Sequence, residues 1–311
     1  MIEGRRDFLK GIAGLGGGIT SLGVVQAAVG APIHQMDGSA MSSTVRDKLW
    51  IWGHVEGSLN GRYGLPGNSR MTPAEGAYYL GVPNVILVAY RDPKEPSKML
   101  PDPANYDEYG ISFRPLKRVL WSIVGGGGRV DPDGLISLGR LAREFPNITG
   151  AFMDDFFRKT LDGGREGVFT PSELSYVQSR LNIDDRRLDL WVTVHDEDLN
   201  YDVAEYLRHV DVVTYWTWKA KDLDSLEEGF VRAEKAAPQA RKVLGCFMWD
   251  FGESRPMPIA NMEKQCSLGL QWLRNRRVDG MIFLASCICD LNIEAVEWTR
   301  RWIDSVGDTR L

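Results

Sequence analysis

Eight short runs dominated by Val, Ile, Leu, Trp and Phe recur along the chain, and segments with helix-start signals separate them. The runs are Leu49–Val55, Asn84–Ala89, Arg118–Val124, Ile148–Met153, Leu188–Val194, Val210–Tyr215, Lys242–Met248 and Gly280–Ala285. Most are nearly continuous in apolar residues rather than alternating, the pattern of a parallel strand covered on both faces. Thr72-Pro73-Ala74-Glu75 and Thr170-Pro171-Ser172-Glu173 each combine an N-cap, a first-turn proline and a glutamate placed to close a capping box. Further helices are predicted at Gly134–Glu144, Val203–Arg208, Leu223–Ala237, Ile259–Arg276 and Ile293–Val306. Eight strands, each followed by a helical segment over roughly 265 residues, match a single-domain α/β (β/α)8 TIM barrel. A doubly wound sheet is the alternative. It requires a glycine-rich phosphate turn after the first strand, and Gly53-His54-Val55-Glu56-Gly57 does not supply one. The segment Arg91–Arg114 reads as a long loop and a candidate cleft wall.

The barrel is expected over residues 47–311, preceded by a linker at 32–46 and a targeting segment at 1–31. Arg5-Arg6-Asp7-Phe8-Leu9-Lys10 is a twin-arginine pattern, followed by an uncharged Gly/Ala/Leu/Val stretch and small residues around Ala27, Ala28 and Ala31. This predicts a Tat export signal. It implies a bacterial chain handed folded to the Tat translocation machinery and released to the periplasm or medium, without membrane contact after processing. A transmembrane anchor is the competing reading, and the five glycines between Gly11 and Gly18 weigh against it. A net charge of -5 with scattered Lys and Arg argues against nucleic acid as a partner.

In such barrels chemistry sits where strands run out into loops. Those positions hold His54 and Glu56, Tyr90, the glycines 125–128, Asp154-Asp155, His195, Tyr215-Trp216-Thr217-Trp218, Trp249-Asp250 and Glu253, and Asp290. Carboxylates and aromatic faces converging on one rim are what glycoside chemistry uses. The sharpest feature is Asp154-Asp155, two adjacent acids between Phe152-Met153 and Phe156-Phe157. Apolar surroundings and a neighbouring like charge both raise a carboxyl pKa, and a carboxyl that keeps its proton can act as general acid.

Phe152-Met153-Asp154-Asp155-Phe156 resembles the fourth-strand Asp-Asp of O-GlcNAcase-type N-acetylglucosaminidases and, more distantly, the acidic fourth-strand motif of chitinase-like barrels. Val210-Asp211-Val212-Val213-Thr214-Tyr215-Trp216 is similar to the sixth-strand segment that sets an aromatic beside the sugar. The resemblance implies that Asp154 orients the substrate and Asp155 is the general acid/base, on sugars that include N-acetylated ones. A second arrangement pairs Asp154 or Asp155 with Asp250 or Glu253 as nucleophile.

The expected function is therefore an exported glycoside hydrolase whose partner is an oligo- or polysaccharide. Asp154, Asp155 and Asp250 are the candidate catalytic groups, and His54, Glu56, His195, Tyr215, Trp216, Trp218 and Trp249 contact substrate. Neither a metal nor another cofactor is expected. Two alternatives stay open: a metal-dependent barrel isomerase or hydrolase using His54 and His195, and a non-catalytic carbohydrate-binding barrel. The four-glycine run reads as a flexible loop. Cys246, Cys287 and Cys289 read either as a disulfide source or as buried thiols.

Overall fold

The computed structural model describes residues 43–92, 95 and 98–311. The export signal and most of the linker expected before the barrel lie outside the described residues.

The barrel strands are β1 (Leu49–Gly53), β2 (Asn84–Leu87), β3 (Arg118–Gly125), β4 (Ile148–Met153), β5 (Asp189–His195), β6 (Val212–Trp216), β7 (Arg241–Phe247) and β8 (Gly280–Leu284). All neighbouring pairs are parallel, and β8 returns to β1 with Trp50 opposite Ile282 and Trp52 opposite Leu284, which closes the sheet. The helices are α1 (Pro73–Leu80), α2 (Tyr106–Ser112), α3 (Gly134–Glu144), α4 (Pro171–Ser179), α5 (Ala204–Leu207), α6 (Leu226–Ala236), α7 (Ile259–Arg274) and α8 (Glu294–Val306). The chain is thus a single-domain (β/α)8 barrel. Both predicted capping boxes form, with Thr72 accepting from the Glu75 amide and Thr170 from that of Glu173.

Helix α2 lies in a segment expected to be loop. Its sequence, YDEYGIS, is short and carries no helical stripe. What holds it is tertiary packing: Tyr106 meets the outward face of Trp121 edge-on at 5.2 Å. A Cβ on Gly110 would fall 2.4 Å from the Phe145 ring, so only glycine lets this helix approach so closely. The segment expected as linker also contributes at its end. Val45 is fully buried and Thr44 bridges Arg310.

Side-chain alternation sorts each strand into barrel-facing and helix-facing residues. Inside, Trp52 packs edge-on against Phe152 at 5.1 Å and Trp216 at 5.2 Å, and Trp216 lies 4.9 Å from Phe247. Room for the Trp216 indole comes from Gly245 on the next strand, where a Cβ would sit 2.0 Å from the ring. The N-terminal end of the barrel is plugged by Arg118, stacked over Trp50 at 4.6 Å and donating to Asn84 Oδ1 at 3.1 Å. The aromatic layer above this plug is the floor on which the C-terminal mouth is built.

Candidate active site

A cavity of about 620 Å³ opens at the C-terminal mouth. Its floor is the aromatic layer of Trp52, Trp216 and Phe247, and its wall includes Asp154, Asp155, His54, His195 and Trp218. Six of these (His54, Asp154, Asp155, His195, Trp216 and Trp218) were legible as strand-end residues, and the fold brings them together because β1, β4, β5 and β6 all deliver positions to one rim.

Asp154 follows the last residue of β4 and faces inward. Its backbone N–H continues the ladder to Val124, and its Oδ1 accepts from the Asp155 N–H at 2.8 Å and the Thr193 hydroxyl at 3.4 Å. The side of the carboxyl that approaches Gly126 is Oδ2, which accepts no hydrogen bond from the described residues, so Oδ2 is the oxygen placed to carry a proton toward the cavity. Burial, followed by the neighbouring Asp155 charge, pushes this carboxyl well above the usual range.

Asp155 is the ionised partner. Its backbone is left-handed, with φ at 43°, a region that Asp tolerates better than most residues. This turn swings the side chain back over the mouth, where Oδ2 accepts from the Gly127 N–H at 2.7 Å and Oδ1 pairs with His195 Nε2 at 3.5 Å. Burial by itself would raise Asp155. The His195 contact, the Gly127 N–H and the charge of His54 outweigh it and hold the carboxyl below its ordinary value. His195 is the mirror case, because burial favours its neutral form but Asp155 and then Asp198 carry its pKa upward. The glycine run expected to be a flexible loop is therefore a fixed element of the site. Gly127 has φ +69°, which aims its N–H at Asp155.

His54 is held neutral, its pKa depressed to about 4 by burial and then by the charge of Arg62. Trp52 Nε1 donates to His54 Nε2 at 3.0 Å, and since an indole can only donate, the ring proton is assigned to Nδ1. That atom and Nδ1 of His195 are both buried and, among the described residues, without hydrogen-bond partners, a situation that costs about 1–3 kcal/mol for each. Among the described residues no group of three or more His, Cys, Asp or Glu is arranged to hold a metal ion.

Five of the candidates do not reach the cavity wall. Asp250 lies past β7 in a hairpin of Trp249–Asp250 with Arg255–Pro256, wholly buried, with Arg255 Nε on Oδ2 at 3.2 Å. Glu253, the other seventh-strand acid, pairs with Lys221 at 3.3 Å and Arg255 at 2.6 Å. Trp249 donates to the Tyr63 carbonyl at 2.9 Å and so fixes a wall loop from behind. Tyr215 faces outward, against Phe230 at 5.9 Å, because Thr214 and Trp216 take the inward positions of β6. Glu56 sits in the first loop and accepts from Tyr109 at 3.4 Å. The arrangement pairing a fourth-strand acid with a seventh-strand acid is thus not assembled at this cavity.

Other wall residues were missed: Arg62, Tyr63, Arg129, Thr193 and Phe251. Most lie several residues into βα loops, and no spacing rule in the sequence marks which loop residues fold back over the mouth. Thr193 was legible in principle, two positions before His195 on the same face of β5.

No protein-family model and no curated protein matches the chain. Among solved structures it is similar to a family GH18 chitinase from Cycas revoluta in complex with allosamidin, with 13% identity over 82% of this chain and 99% of that one and a TM-score of 0.51. It is also similar to a xylanase–α-amylase inhibitor protein in complex with trehalose (12% identity, 84% and 98% covered, TM-score 0.50). An Anoxybacillus α-amylase gives 11% identity, 85% and 79% covered, and a TM-score of 0.50. At these identities the likeness establishes the closed eight-stranded barrel that all of them share.

Proposed function

We propose that the chain is a glycoside hydrolase that works through the Asp154-Asp155 pair. The observation that supports this reading is the division of labour between two adjacent acids at one cavity. Asp154 has its carboxyl pushed upward by burial and presents an oxygen without a hydrogen-bond partner among the described residues, while Asp155 is held below the ordinary range and fixed by His195 and Gly127. Cleaving a glycosidic bond needs a proton for the leaving oxygen and a carboxylate to stabilise or attack the positive charge at the anomeric carbon. These electrostatics favour Asp154 as proton donor and Asp155 as carboxylate, the reverse of the roles that the family resemblance implies. Trp218, 36% exposed and edge-on to His195 at 5.8 Å, offers the ring face on which a sugar stacks, and Trp216 closes the floor beneath. An exported enzyme acting on oligo- or polysaccharides, N-acetylated ones among them, fits this arrangement.

The reading is tested by reducing-end release from a panel of polysaccharides and aryl glycosides, comparing wild type with Asp154→Asn and Asp155→Asn. Each substitution is expected to lower kcat/KM by about 10²–10⁴. The Asp154→Asn loss should be largest for glycosides with poor leaving groups, which most need a proton. Turnover that survives both substitutions would remove the assignment. A barrel that binds the panel without cleaving any of it would leave the non-catalytic alternative.

A further inference from the structure

Of the carboxylates of the cavity, Asp154 is pushed by burial toward its neutral form, Asp155 pairs with His195, and Asp92 has an interaction of its own. The cations differ. Arg62, in the loop after β1, and Arg129, on the return of the glycine turn after β3, both line the cavity, and among the described residues neither forms an ion pair. Elsewhere on the same rim cations are neutralised. Arg165 contacts Glu197 at 2.5 Å and Asp198 at 3.3 Å, while Lys221 and Arg255 share Glu253.

Arg62 is also held in place. Its guanidinium donates to the Tyr63 hydroxyl at 3.2 Å and lies 5.0 Å from the centre of that ring. Tyr63 in turn is anchored through its carbonyl by Trp249 and packs edge-on against Phe251 at 5.3 Å. Arg129 stands near a second cation, Arg158, whose guanidinium is depressed by burial and then by the charge of Arg129. Arg158 has Glu166 opposite it in its hairpin and lies outside the cavity lining, whereas Arg62 and Arg129 line the cavity without an ion-pair partner among the described residues. A guanidinium matches a carboxylate or sulfate with two parallel hydrogen bonds.

We infer that the cavity takes a glycoside bearing an acidic group, a uronic-acid carboxylate or a sulfate ester, which Arg62 and Arg129 hold beside the Asp154-Asp155 pair. The inference rests on the glycosidase reading for the sugar and on the two unmatched arginines for the acid. Both side chains are exposed, so the recognition is salt-sensitive.

The test is calorimetric binding to the full chain at low ionic strength. The probes are oligouronides from alginate and polygalacturonate, sulfated oligosaccharides from carrageenan, and the carboxyl-reduced or desulfated counterpart of each. At least one acidic probe is expected to bind about tenfold or more tightly than its neutral counterpart. That ratio should fall about tenfold in Arg62→Gln and in Arg129→Gln, and should shrink as salt rises. Whether the carboxylate or the sulfate probe shows the preference identifies the acid. Equal binding of acidic and neutral members, no binding to any member, or a ratio unchanged in both variants would overturn the inference. Reducing-end release measured on the same probes separates the two proposals. Cleavage without acidic preference leaves the glycosidase standing and removes the arginine site, whereas an arginine-dependent preference without cleavage does the opposite.

Discussion

At the scale of single residues, the site depends on a carboxyl that the fold makes costly to ionise. Asp154 has a folded pKa raised by burial and by Asp155. The stability it contributes is complete below its unfolded pKa, near ~3.9, and is lost as pH rises toward the folded value. Asn keeps the shape and the Oδ1 acceptor while removing the ionisation. Asp154→Asn is therefore expected to melt higher than wild type at pH 7, by on the order of 2–4 °C or more, with the gap closing as pH falls toward 4. Equal melting temperatures at both pH values would mean that Asp154 titrates normally. The Asp155–His195 pair runs with the opposite signs. Asp155, lowered, contributes stability that is lost as pH falls through its folded pKa, and His195, raised, contributes stability that is lost as pH rises through its own. The charged pair thus persists between those two limits, and acidic activity loss belongs to Asp155 rather than to Asp154.

At the scale of elements, the strands were readable because burial on both faces leaves a continuous apolar run, and β4 begins and ends where its sequence predicts. The helix starts were readable because a capping box is a local device. Helix α2 was not, since Trp121 and Phe145, distant in sequence, hold it. The glycine run shows the same limit: composition indicated mobility, whereas the partner that gives it a role, Asp155, is supplied by the next strand. Of the candidate site residues, those on strand ends were placed by period-two alternation, which also explains why Tyr215 turns away while Trp216 reaches the cavity floor. Alternation further requires Gly245 to stay small beneath Trp216. Gly245→Ala is expected to destabilise the barrel by about 1–3 kcal/mol or more in urea unfolding, and to disturb the cavity floor. A neutral effect would show that Trp216 is not wedged there.

At the scale of the whole molecule, the closed barrel sets what the chain can expose. The four cysteines, Cys246, Cys266, Cys287 and Cys289, are free and buried, and burial pushes the thiols of Cys266, Cys287 and Cys289 upward. A thiol reagent should therefore read no reactive groups in the native protein and four after unfolding; native reactivity or a shortfall on unfolding would mean that the packing or the redox state differs. The same closure buries Asp154 and so favours a proton on one acid of an adjacent pair. Carbon-13 NMR titration of aspartate side-chain carboxyls reports that proton without knowledge of the sugar. One carboxyl should titrate well above the ordinary range and disappear in Asp154→Asn, while the signal lost in Asp155→Asn should titrate below it. Two carboxyls that both titrate near ~3.9 would contradict the account.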